Sequence, residues 1–190
     1  VIRPLVSWLG FVLWFCLAGL GLVLGGLHWP DLTHDLLGQL TTPHSLVVLW
    51  LLFPLIKLFH ELGHGFMTMA FGGEVHELGV MLLVFTPVPY CEASAAWAFR
   101  DKWQRVLVGA AGMMVEVALA SLALVVWINA EPGLVRLLAY NTIFLAGVST
   151  VLFNLNPLLR FDGYYMLMDW VEIPNLRARA TAYLRYLCER

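Results

Sequence analysis

Charge is what this sequence is short of. Lys, Arg, Asp and Glu make up 13% of its 190 residues, against about a quarter in a soluble domain. With 61% hydrophobic residues and a mean hydropathy of +0.79, too little polar surface remains for a water-soluble fold, and far too much apolar surface is present for a disordered chain. A formal net charge of -2 offers no basic field to hold nucleic acid. Cysteine is also scarce. Cys16, Cys91 and Cys188 are odd in number and lack paired spacing, so no disulfide framework is expected. Cys16 reads as a packing residue inside a span, and Cys91 as a loop residue able to approach a metal.

What fills the chain instead is apolar sequence in runs of membrane-crossing length. A spanning helix needs roughly 20 apolar residues, and four stretches qualify: residues 4–27, 46–71, 106–128 and 134–155. The first carries only Arg3 as a positive start and lacks a small-residue cleavage site, so it reads as a retained span rather than a signal peptide. The expected fold is an all-α membrane protein, a single domain over residues 1–190. Tryptophans near the span ends fit interface anchors.

The links set an orientation. Residues 28–44 carry Asp31 and Asp35 but no Lys or Arg, the middle link carries Arg100, Lys102 and Arg105, and the tail carries Arg160, Arg177, Arg179, Arg185 and Arg190. Positive charge marks the cytoplasmic side, which predicts both termini inside; only Arg136 points the other way. In the middle link, residues 74–90 begin with strand-like alternation, turn wholly apolar and end at Thr86-Pro87-Val88-Pro89-Tyr90. This stretch is too short to cross and too apolar for a solvated loop. It predicts a β-hairpin or re-entrant segment covered by protein or lining a wet cavity. Residues 174–190 place Leu176, Ala180, Tyr183, Leu184 and Leu187 on one face and arginines on the other, as in an amphipathic helix on a membrane surface or against another domain.

Within the second span stands His60-Glu61-Leu62-Gly63-His64. H-E-x-x-H on a helix puts both imidazoles on one face, one turn apart, able to grip one zinc ion with the glutamate as base. Ionisable groups inside a membrane are costly and mark function. A catalytic zinc takes three protein ligands, so a third must come from elsewhere. The candidate is Asp162, just past the fourth span and flanked by the helix breakers Pro157 and Gly163. Asn154 is placed to hydrogen-bond a substrate backbone or a neighbouring helix. Glu116, mid-span after the small residues Gly109, Ala110, Ala111 and Gly112, reads either as a carboxylate behind a zinc-bound imidazole or as a buried acid bonded to backbone. Lys57 can pair with it or snorkel.

The two motifs together resemble the site-2 protease family of intramembrane zinc metalloproteases. That family's second motif reads N-x-x-P-x-P-x-L-D-G. Asn154, Pro157, Asp162 and Gly163 match it, while Leu159 replaces the second proline and Phe161 the leucine. The run from Asn156 to Tyr165, with Pro87, Tyr90, Glu92 and Ser94 in the middle link, is most similar to the family's bacterial peptide zinc metalloprotease branch. The resemblance runs from the second span to about Leu176, and the tethered PDZ domain of the family is not seen. It implies zinc held by His60, His64 and Asp162, Glu61 as general base, and Asn154 orienting a substrate strand. A membrane-embedded segment or hydrophobic peptide would be the substrate, in a bacterial inner membrane, with a membrane-fusion-type protein as a candidate partner. Two other classes compete: a membrane metal-ion transporter, which would spread weak sites over several spans, and a catalytically silent scaffold, against which the intact Glu61 argues.

Overall fold

A computed structural model describes residues 7–34 and 36–189. Arg3 and the expected start of the first span at Pro4 lie outside the described residues, as do Asp35 and Arg190. Four helices are long and apolar enough to cross a membrane: α1 (Trp8–Leu27), α4 (Pro43–Ala70), α5 (Lys102–Asn129) and the helix Leu134–Asn154. Between the first two, the link over residues 28–44 contains the short helices α2 (Trp29–Thr33) and α3 (Leu36–Leu40).

The span boundaries follow local chemistry. Thr42 caps α4 by accepting the Ser45 N–H at 3.2 Å, with Pro43 in the first turn, where its missing N–H costs nothing. Asp101 caps α5 by accepting the Trp103 N–H at 2.9 Å. These caps start both helices three or four residues earlier than hydropathy alone indicates. The fourth helix changes character along its length. It is α-helical over α6 (Leu134–Val148) and then winds as a π-turn over Ser149–Asn154, where the Leu155 N–H donates to the Thr150 carbonyl five residues back at 2.8 Å. Two further helices follow, α7 (Asp162–Val171), which sequence patterning did not indicate, and α8 (Leu176–Cys188), the expected amphipathic helix, exposed along its length.

Helix α5 is the axis of the bundle and packs on α1, α4, α6 and α7. The Trp14 Nε1–H donates to the Met114 carbonyl at 2.8 Å and ties α1 to it, while the Arg105 Nε–H donates to Asp169 at 3.0 Å and ties α7 to its first turns. One apolar cluster joins Leu40, Leu124, Trp127, Ala139 and Tyr140. A second joins Met67, Ala96, Val108 and Ala111. Outward, the spans expose large apolar side chains such as Leu9, Leu13, Phe15 and Leu22 of α1, the reverse of a soluble bundle and the arrangement a hydrocarbon environment favours.

The middle link contains a two-stranded antiparallel hairpin, β1 (Leu78–Leu83) with β2 (Thr86–Cys91), in register from Leu78 opposite Cys91 to Leu83 opposite Thr86. Its two-residue tip is Val84-Phe85, with φ of 47° and 62°. A tip of this kind favours Asn and Gly, so Val and Phe there hold strained backbone while fully outward-facing. β2 packs against α4 and β1 is largely exposed.

Candidate metal centre

Helical spacing places His60 and His64 one above the other on the buried face of α4, ring centroids 4.8 Å apart. α5 passes directly over them. Gly112 is the residue at the crossing: a Cβ added there would overlap both imidazole rings. In sequence Gly112 belongs to a run of small packing residues, Gly109 to Gly112. The structure gives it a specific task, clearing room for two side chains rather than for a backbone.

Asp162 reaches the same point from the other direction. After the π-turn the chain bends through residues 155–161 and re-enters helix at Asp162, the first residue of α7. Gly163 sits against the end of the span, where an added Cβ would lie 2.7 Å from the Asn154 and Leu155 carbonyl oxygens. Close backbone approach, not only helix breaking, is therefore what this glycine permits. Asp162 Oδ2 lies 3.0 Å from His60 Nε2 and 3.4 Å from His64 Nε2. The two Nε2 atoms are 3.1 Å apart. Together His60, His64 and Asp162 form a group able to hold a metal ion.

The protons around this group decide what it can accept. His64 Nδ1 lies 2.7 Å from the Val108 carbonyl. A carbonyl only accepts, so Nδ1 carries the hydrogen, and in the neutral ring Nε2 is a bare lone pair. His60 Nδ1 lies 3.0 Å from a Glu116 carboxylate oxygen, outside hydrogen-bond angles, so its Nε2, which faces Asp162 and His64, is the ring nitrogen turned toward the group. Two imidazole lone pairs and a carboxylate oxygen thus converge, and Asp162 Oδ2 is buried without a hydrogen-bond partner. Three acceptors within contact distance repel one another unless a cation sits among them. A shared proton satisfies one pair, whereas a divalent ion satisfies all three. The donor set, two histidines and one carboxylate, is of the kind that binds zinc and leaves a coordination position open.

Glu61 follows His60 on α4 and is half-buried. Its carboxylate accepts the backbone N–H of Cys91, the last residue of β2, at 3.1 Å, so the hairpin is docked on the residue predicted as base. Cys91 itself stands outside the metal group. Its sulfur faces Gly65, and burial, helped by the negative charges of Glu61 and Glu92, pushes its thiol up, away from the thiolate form a metal needs. His76 faces Glu74 at 3.8 Å and Glu92 accepts from Ser94 at 2.6 Å. Neither belongs to the group.

Glu116 is fully buried and surrounded by donors. One carboxylate oxygen accepts from Lys57 Nζ at 2.8 Å and from the Ser149 hydroxyl at 3.1 Å; the other accepts from the Thr150 hydroxyl at 2.6 Å and the Asn154 amide at 3.0 Å. Of the two readings of Lys57, the ion pair is the one present. Asn154 makes an interhelical hydrogen bond through its amide to Glu116. Ser149 and Thr150 carried no signal in the sequence. The π-turn brings Asn154 to the same carboxylate as Ser149, since in an α-helix a residue five positions on lies about 140° around the axis. Comparison with protein-family models, with curated proteins and with solved structures gives no match for this chain.

Proposed function

We propose that this chain is an intramembrane zinc metalloprotease of the site-2 protease type, acting on a membrane-embedded segment or a hydrophobic peptide. The observation that carries the reading is the convergence of His60 Nε2, His64 Nε2 and Asp162 Oδ2, with both histidines and Glu61 on a helix of membrane-crossing character. Three acceptors held together in an apolar bundle are costly unless they share a cation.

His60, His64 and Asp162 would hold the zinc, which when bound supplies Lewis-acid polarisation of water and of a peptide carbonyl. The rest falls to the chain. Glu61, adjacent to a ligand, takes a proton from the attacking water and returns it to the leaving amine. Its hydrogen bond from the Cys91 N–H holds the carboxylate in place at the end of β2 and discourages its drift toward the cation. The apolar faces of α4 and α5 exclude bulk water, which strengthens each electrostatic contact inside. A substrate helix has its carbonyls engaged in its own hydrogen bonds and must unwind before attack. The outer edge of β1, largely exposed, offers backbone groups on which an unwound stretch could add as a strand. Both termini on the cytoplasmic face of a bacterial inner membrane, and delivery of substrate by a membrane-fusion-type partner, belong to the same reading and rest on the arginine distribution and the family resemblance.

Glu61→Gln tests it. The variant is expected to take up one zinc per chain like the wild type and to lose cleavage of a model transmembrane segment by at least about a hundredfold. Undiminished cleavage would defeat the proposal. Metal flux into liposomes that depends on His60 and His64 would replace it with transport.

A further inference from the structure

Glu116 is more elaborately held than an ion pair requires. Lys57 alone would neutralise it, yet three further side chains donate to the same carboxylate, all from the π-turn at the end of the fourth span. The Lys57 ammonium also donates to the Ser149 hydroxyl at 2.7 Å, which closes the ring of contacts. Those four donors are shared two to each carboxylate oxygen. His60 Nδ1 is nonetheless 3.0 Å away and, although buried, meets no partner at hydrogen-bond angles. An imidazole N–H in that position has the Glu116 carboxylate within reach to turn toward as its Nε2 takes up a cation.

Resting on the metal reading above, we propose that Glu116 is the positioning residue of the centre: it fixes the tautomer and rotation of His60 through Nδ1 and, by clamping Ser149, Thr150 and Asn154, sets the π-turn from which the chain leads to Asp162. One carboxylate thereby registers both halves of the ligand set, the histidines of α4 and the aspartate of α7, against α5. Lys57 cancels its charge, so that the ligand set keeps a single net negative charge, that of Asp162, toward a divalent ion. Asn154 on this account acts through Glu116, its amide N–H already committed to that oxygen.

Cobalt(II) titration of the purified full chain in micelles tests the assignment, read by d–d absorption and by competition with a chelator. Glu116→Gln keeps the side-chain shape but removes the charge, and the double variant Lys57→Met/Glu116→Gln removes both charges together. Both are expected to bind cobalt roughly 10- to 100-fold more weakly, with shifted d–d bands. A folded variant with wild-type affinity and spectrum overturns the proposal. The wild type itself gives a second measurement that needs no variant to fold: 15N-histidine NMR of the zinc-loaded chain is expected to place a proton on His60 Nδ1 and the metal on Nε2, and the opposite assignment overturns the proposal. A wild type that takes up neither cobalt nor zinc sinks the protease reading and this inference with it; a wild type that binds while the variants bind equally well sinks the positioning role alone.

Discussion

Toward its C-terminus α5 buries Leu124 and Trp127 against Leu40, Ala139 and Tyr140, whereas toward its middle it buries Gly112 and Glu116 against His60, Ser149 and Thr150. α4 and the fourth span contribute to both, through Leu49 and Ala139 in the first and His60 and Ser149 in the second. The apolar half is explained by packing alone: Trp127 stacks near Tyr140 and under the Arg136 guanidinium, and the Tyr140 hydroxyl donates to the Leu32 carbonyl at 2.9 Å. The polar half is not. Replacing a buried ion cluster by apolar groups of similar volume is often neutral or stabilising, so stability does not account for Lys57, Glu116 and their donors. One half of the helix holds the bundle together and the other arranges a site.

That contrast can be broken by substitution. Trp127→Ala should cost about 3–5 kcal/mol of unfolding free energy while zinc stoichiometry stays unchanged; loss of zinc along with stability would mean the halves are one unit. Lys57→Met should cost a similar ~3–5 kcal/mol, because it strands a buried carboxylate, and adding Glu116→Gln should recover most of it in the same denaturation assay. Gly112→Ala should leave the apolar half intact but weaken metal binding by about 1–3 kcal/mol, the usual penalty of forced overpacking, measured by chelator competition. Away from both halves, the pair Val84→Asn and Phe85→Gly should relieve the hairpin tip and raise its hydrogen-exchange protection by about 1 kcal/mol without altering zinc uptake. Arg136→Ala, which removes the contact over Trp127 and a long hydrogen bond to the Ala130 carbonyl at 3.5 Å, should cost no more than about 1 kcal/mol.

Much of the site was legible before any coordinates. His60 and His64 follow from helical period, and Asp162 from its place between breakers past the fourth span. Pairing with Glu116 was one of two readings open to Lys57, the other being snorkelling, and the ion pair is the one present. Less was legible where conformation departs from the common period. Thr150 is an ordinary span residue in sequence, and the α-helical register would send Ser149 and Asn154 to different faces. Gly112 looked like generic small-residue packing because nothing local says what crosses above it. The hairpin over residues 74–90 was anticipated as one of two options, but its tip carries Val84 and Phe85 where turn chemistry asks for Asn and Gly, so the turn itself gave no signal.

Hydropathy and helical period determined the four long helices, the face each histidine occupies and the scarcity of alternatives for a third ligand, since these are properties of a few consecutive residues. The meeting of Asp162 with His60 and His64, the orientation of both imidazoles and the gathering of four donors around Glu116 were decided only by tertiary structure. They depend on how closely α5 can cross α4 and on a π-turn that rotates three side chains onto one carboxylate, and no local stretch of sequence encodes the distance between two helices.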